Sequence, residues 1–121
     1  MSEKSSSKTI LLIEDDNLVR DAVREMLLAL GFAVLAASSG EQAIELSRKH
    51  RGALALSLAD VVIPTMSVKQ LQEKLSEQRP STKFLLMSGY PQDVILKAGI
   101  DASSVLFLQW GIRLKANAIP V

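Results

Sequence analysis

Glu14, Asp15 and Asp16 follow directly on the apolar run Thr9 to Ile13, and Asp60 follows directly on a second run, Ala53 to Ala59. Buried strands that carry carboxylates to one edge build a set of oxygen ligands suited to a hard cation such as Mg²⁺. A third run, Lys83 to Met87, brings Ser88 to the same edge, and a fourth, Val105 to Leu108, brings Gln109 and Trp110. Each acid alone has an ordinary explanation as a helix cap or a solvated loop residue, and for Asp16 the cap is as good a reading as the site. Together they carry more. Carboxylates in one cleft repel each other unless a cation sits among them, so their convergence demands either a metal or raised pKa values, and bound Mg²⁺ is the simpler solution.

The elements that must position these residues alternate between strand and helix. After the strand Thr9 to Ile13, apolar residues recur at Val19, Ala22, Val23, Met26, Leu27 and Leu30, which is helical spacing. Asp16 or Asn17 caps the first turn of that helix, and Gly31 supplies a left-handed stop. Phe32 to Ala37 reads as a second strand. Ser39 with Gln42 has the spacing of a capping box, opening a helix that runs to about His50. A third strand ends at Asp60. Ser67 with Gln70 repeats the capping-box spacing, Val68, Leu71 and Leu75 give the next helix one apolar face, and Pro80 closes it. A strand at Lys83 to Met87, a helix from near Pro91 and a strand at Ser104 to Leu108 complete the series. Strongly apolar strands alternating with amphipathic helices imply a parallel sheet covered on both faces. In such sheets, sites form beyond the carboxyl ends of the strands, where the strand order reverses.

Composition removes several classes of function. At 121 residues, with 48% apolar and 22% charged residues, the chain has the balance of one soluble globular domain. Fourteen Lys and Arg against 13 Asp and Glu leave a net charge of +1, too little to steer the chain onto nucleic acid. With no cysteine there is no disulfide scaffold, zinc knuckle or thiol chemistry. No apolar run approaches the ~20 residues that span a bilayer, and no secretion signal opens the chain, so a cytoplasmic location without membrane insertion is expected. Residues 1–8 are serine-rich and polar and read as a flexible segment ahead of a domain at 9–121. His50, the only histidine, reads as a surface residue without a partner for zinc or nucleophilic work. The scattered glycines form no phosphate-binding loop, so a nucleotide-binding reading of the same alternation has little support.

The segments "ILLIEDDNLVR", "LADVVIPTMS" and "FLLMSGYPQD" resemble the receiver domains of two-component response regulators, over nearly everything from Thr9 to Gln109. The wording of the last two is most similar to receivers of hybrid sensor histidine kinases. The resemblance implies a flavodoxin-like (βα)5 three-layer α/β sandwich, with sheet order 2-1-3-4-5 and a short last helix. It implies that Asp60 is the phosphoacceptor and that Asp15 and Glu14 hold Mg²⁺, directly and through water. The Val62 carbonyl would complete the protein ligands beside Asp60, and Ser88 would donate its hydroxyl to the phosphoryl group. Phe107 takes the place of the switch aromatic. The expected partner is a histidine kinase or histidine phosphotransfer protein, with weak homodimerisation left open, in a signalling module that is not itself an enzyme. The chemistry asks for the same residue types, because phosphoryl transfer is mostly in-line positioning plus a metal ion that neutralises charge on oxygen.

The departures from the family pattern are as informative. Counting from Ser88, the usual lysine and proline after the fifth strand are replaced by Trp110 and Gly111. A charge-assisted hydrogen bond contributes roughly 1.5 to 3 kcal/mol, so the missing lysine weakens the bias toward the active state by roughly tenfold to a hundredfold. Trp110 therefore joins Ser88 and Phe107 as a switch position at which switching is impaired. Thr65 and Val68 stand where glycine is common, and because a β-branched residue resists positive φ, a stiffer or differently shaped loop is expected after Asp60. The runner-up reading is a pseudo-receiver that binds a partner protein without phosphate. Intact acids favour the phosphoacceptor; Trp110, Gly111 and the short last helix favour the pseudo-receiver.

Overall fold

A computed structural model describes residues 8–60, 63–88 and 106–109, with the backbone alone at 88 and 106–109. In chain order the elements are β1 (Thr9–Ile13), α1 (Asn17–Ala29), β2 (Ala33–Ala37), α2 (Gly40–Lys49), β3 (Leu56–Asp60), α3 (Val68–Gln78), β4 (Lys83–Ser88) and β5 (Leu106–Gln109). The strands form one sheet in the order β2-β1-β3-β4-β5, and every pairing is parallel. The expected helix near Pro91, the last helix, and the residues at 61–62 and 110–111 lie outside the described residues.

Alternation along the strands sorts the core into two layers. Leu11, Ile13, Ala59, Phe84 and Leu86 face Ala43, Val68, Leu71 and Leu75 of α2 and α3. Ile10, Leu12, Leu56, Leu58, Leu85 and Met87 face Val23 and Leu27 of α1. Both faces are covered, which is why these strands are apolar throughout and do not alternate with polar residues. A fully buried aliphatic side chain such as Leu27 contributes about 1.5 to 3 kcal/mol, so the Val23 and Leu27 stripe suffices to seat α1.

Local chemistry sets the helix ends. Asp16 Oδ1 accepts from the amides of Leu18 (2.9 Å) and Val19 (3.1 Å), which makes Asp16 the cap of α1. Gly31, at φ 97°, turns the chain out of α1 in the left-handed region. Ser67 and Gln70 form a complete reciprocal capping box. The Ser39 and Gln42 pair does not: Ser39 caps the Gln42 amide, but Gln42 Oε1 accepts from the Ser38 amide at 2.6 Å. The Gln42 side chain therefore secures the residue before the cap.

Three further expectations need correction. The second strand begins at Ala33, because Phe32 turns inward to pack beneath α1. Thr65 does enter the left-handed region, at φ 65°, although its β-branch disfavours it there. Its hydroxyl lies 2.8 Å from both carboxylate oxygens of Glu41, a contact that offsets the backbone cost. Val68 keeps to expectation for a β-branched residue, with no positive φ, as the buried first residue of α3. His50 is half-buried, and its Nε2 is closed off from solvent with no hydrogen-bond partner among the described residues. The turn at Gly52 folds against the imidazole so closely that a Cβ there would lie 3.3 Å from Nε2. Among the described residues, no helix is long and apolar enough to cross a membrane.

Candidate functional site

β1 and β3 are neighbours, with Ile13 opposite Ala59, so the residues next along each strand are Glu14 and Asp60. Asp15 comes one residue later. Carboxylate oxygens of Glu14, Asp15 and Asp60 all lie within 4.8 Å of one another. Asp15 is exposed, Asp60 half-buried, and Glu14 buried at 1% exposure, so the cluster runs from solvent into the protein.

Glu14 is held from several sides. Its amide donates to Ala37 O at 3.0 Å, extending the β1–β2 ladder. Its carbonyl accepts from Arg20 Nη1 at 3.0 Å, and Oε2 accepts from the Asp16 amide at 2.9 Å. Oε1 is shut away from solvent with no hydrogen-bond partner among the described residues. An unmet buried carboxylate oxygen is costly unless a proton or a cation reaches it. Accordingly the Glu14 pKa is pushed up from 4.5 to about 8. Burial is the main cause, followed by hydrogen bonding to Asp60; the bond from the Asp16 amide opposes the rise, while Coulombic repulsion from Asp60 adds to it.

Three carboxylates, one with an orphaned buried oxygen, are a donor set for a hard, oxygen-seeking divalent cation. The residues present therefore fit Mg²⁺. Asp16 stands apart from the cluster as a helix cap. Ser88 ends β4 one residue past Met87, the register partner of Asp60, so its backbone arrives at the same edge. Phe107 sits in β5 opposite Leu86. Val62 and Trp110 lie outside the described residues.

Sequence reasoning passed over Arg20, which clamps the Glu14 carbonyl while also donating to Asn17 Oδ1. A signal was available: an arginine in the first turn of a helix opposes the helix dipole, so it needs a local acceptor. It also passed over the Glu41 and Thr65 pair, 24 residues apart, for which no periodicity speaks.

An all-parallel α/β sandwich with acids gathered at the carboxyl edge of β1 and β3 defines the class of protein. The chain belongs to the response regulator receiver domain family, whose model matches residues 10–114. It is 31% identical over 107 residues to a cyclic di-GMP phosphodiesterase of Thermotoga maritima, covering 88% of this chain and 28% of that protein. It is 33% identical over 96 residues to the sensor kinase CckA of Brucella abortus, covering 79% of this chain and 10% of that one. The chain thus spans a minor part of the length of either relative. Among solved structures, the receiver domain from hybrid histidine kinase CckA superposes with a TM-score of 0.73 at 28% identity, covering 91% of this chain and 92% of that one. The chain is a receiver domain of two-component signalling.

Proposed function

We propose that Asp60 accepts a phosphoryl group from a phosphohistidine of a histidine kinase or phosphotransfer protein, in a domain spanning 9–121. An Asp60 carboxylate oxygen attacks phosphorus, the bond from phosphorus to the imidazole nitrogen breaks, and the imidazole leaves with a proton taken from solvent. Glu14 and Asp15, with Asp60 and the Val62 carbonyl, would hold Mg²⁺. Its chemistry there is to neutralise charge on the transferring oxygens. Glu14 and Asp15 orient that charge beside Asp60, and the Ser88 hydroxyl donates to a phosphoryl oxygen.

The observation that carries this reading is the cluster itself, with three carboxylates within 4.8 Å and one buried oxygen that has no partner among the described residues. The second reading, a pseudo-receiver that binds its partner without phosphate, is favoured by Trp110 and Gly111 in place of the usual lysine and proline. Incubation with a small-molecule phosphodonor and Mg²⁺ separates the two. Mass spectrometry of the intact chain shows one added phosphoryl group, absent from Asp60→Asn, if Asp60 is the acceptor. No adduct, under conditions that label an ordinary receiver, gives the case to the pseudo-receiver.

A further inference from the structure

The loop between β3 and α3 is fastened to the start of α2 by contacts that the sheet does not require. Thr65 is held at φ 65°, where a β-branched residue is disfavoured. Such a residue persists only where its surroundings over-determine it. Here Thr65 Oγ1 lies 2.8 Å from Glu41 Oε1, 2.8 Å from Glu41 Oε2 and 2.6 Å from the Pro64 carbonyl. One hydroxyl proton serves one acceptor at a time, and the carboxylate is the stronger of the two partners. Met66 packs over Gly40 so tightly that a Cβ at Gly40 would come within 2.8 Å of its Sδ, and Ile63 lies 3.6 Å from the same point. Residues 63, 65 and 66 are thus pinned to two consecutive residues of α2, Gly40 and Glu41.

We propose that the Glu41–Thr65 bond is a latch that anchors residues 63–66 to α2 close behind Asp60, making both of them positioning residues for cation binding at the acid cluster. This rests on the phosphoacceptor reading. Ile63 follows Asp60 by three residues, so pinning 63–66 against α2 sets an anchor close to the end of β3. Glu41 compensates for a side chain that left-handed backbone disfavours. Glycine needs no such compensation. The dependence of the site on Glu41 must therefore vanish when residue 65 is glycine.

The test is a double-mutant cycle on the full chain, read by calorimetric Mg²⁺ titration and by hydrogen exchange at the Met66 and Ser67 amides. Glu41→Ala is expected to weaken Mg²⁺ binding about three- to tenfold and to speed loop exchange by a similar factor. Glu41→Gln, which keeps an acceptor, stays within about twofold of the unmutated chain. Thr65→Gly removes the bond together with the strained side chain, and adding Glu41→Ala to it changes neither readout further. The proposal is overturned if Glu41→Ala has no effect, if it costs the same with threonine or glycine at 65, or if Glu41→Gln loses as much as Glu41→Ala. If the unmutated chain gives no Mg²⁺ heat and no phosphoryl adduct, the phosphoacceptor reading falls and the positioning role falls with it. The exchange data then decide by themselves whether the latch exists.

Discussion

The two ends of the sheet treat buried charge in opposite ways. At the carboxyl edge, Glu14 is buried among other acids, and one of its oxygens has no partner among the described residues. At the opposite edge, Arg79 caps α3 and turns its guanidinium onto the end of α2. Nε donates to Ser47 Oγ at 3.1 Å, Nη1 to Gly52 O at 2.9 Å, and Nη2 to Ser47 O at 2.9 Å and His50 O at 2.6 Å. Thr82 adds a bond from its hydroxyl to Leu54 O at 2.7 Å. Among the described residues, the Arg79 edge meets its guanidinium with carbonyls and a hydroxyl, whereas the acid edge leaves a buried carboxylate oxygen without a partner. The acid edge is the one that a cation would complete.

The largest expected effect comes from completing it. In the folded chain Glu14 titrates at about 8 against 4.5 as the ordinary value. Between those pH values the folded state holds a proton that the unfolded state has released, so stability falls as pH rises and the full penalty is present above about pH 8. Without Mg²⁺, unfolding free energy is expected to drop by a few kcal/mol from pH 5 to pH 9, with millimolar Mg²⁺ reversing much of the loss. Glu14→Gln should flatten the pH profile and remove most of the Mg²⁺ response. A flat profile for the unmutated chain in chelator would erase the contrast between the edges.

Arg79→Ala tests the opposite edge. Several carbonyls lose a charged donor together, and a loss of about 2 to 3 kcal/mol in urea unfolding is expected, with no pH dependence between 5 and 9. Arg79→Lys should recover less than half, because an ammonium cannot reproduce the guanidinium fork. Next comes Asp16→Ala, expected to cost about 1 kcal/mol through the α1 cap while Mg²⁺ affinity stays within about twofold. A large loss of affinity would instead draw Asp16 into the cluster. Smallest is Gln70→Ala, which opens the reciprocal box at α3 for about 0.5 kcal/mol.

What the sequence disclosed follows the same divide between periodic and long-range information. The strand and helix order, the Asp16 cap, the Gly31 stop and the meeting of Glu14, Asp15 and Asp60 were legible because apolar spacing fixes the elements and parallel pairing then fixes which ends meet. The Thr65 backbone was misjudged because local propensity knows nothing of Glu41 on another helix. His50 looked like a surface residue among Lys49 and Arg51, yet the turn at Gly52 folds over its ring. Arg79 left no trace at all, since most of its partners are backbone carbonyls, and any residue carries one. Gln42 shows the limit of a motif: the spacing was right, but a competing amide one residue earlier captured its side chain.

The β1–β3 ladder gives the acid cluster a second role. Ile13 faces Ala59, and only this alignment sets Glu14 beside Asp60. Sliding β3 by one residue would carry Asp60 to the other side of the sheet, sliding β1 would do the same to Glu14, and either slip would scatter the carboxylates. Whatever occupies the cluster consequently recognises one alignment of two strands that lie far apart in the chain, and proofreads the fold as it binds.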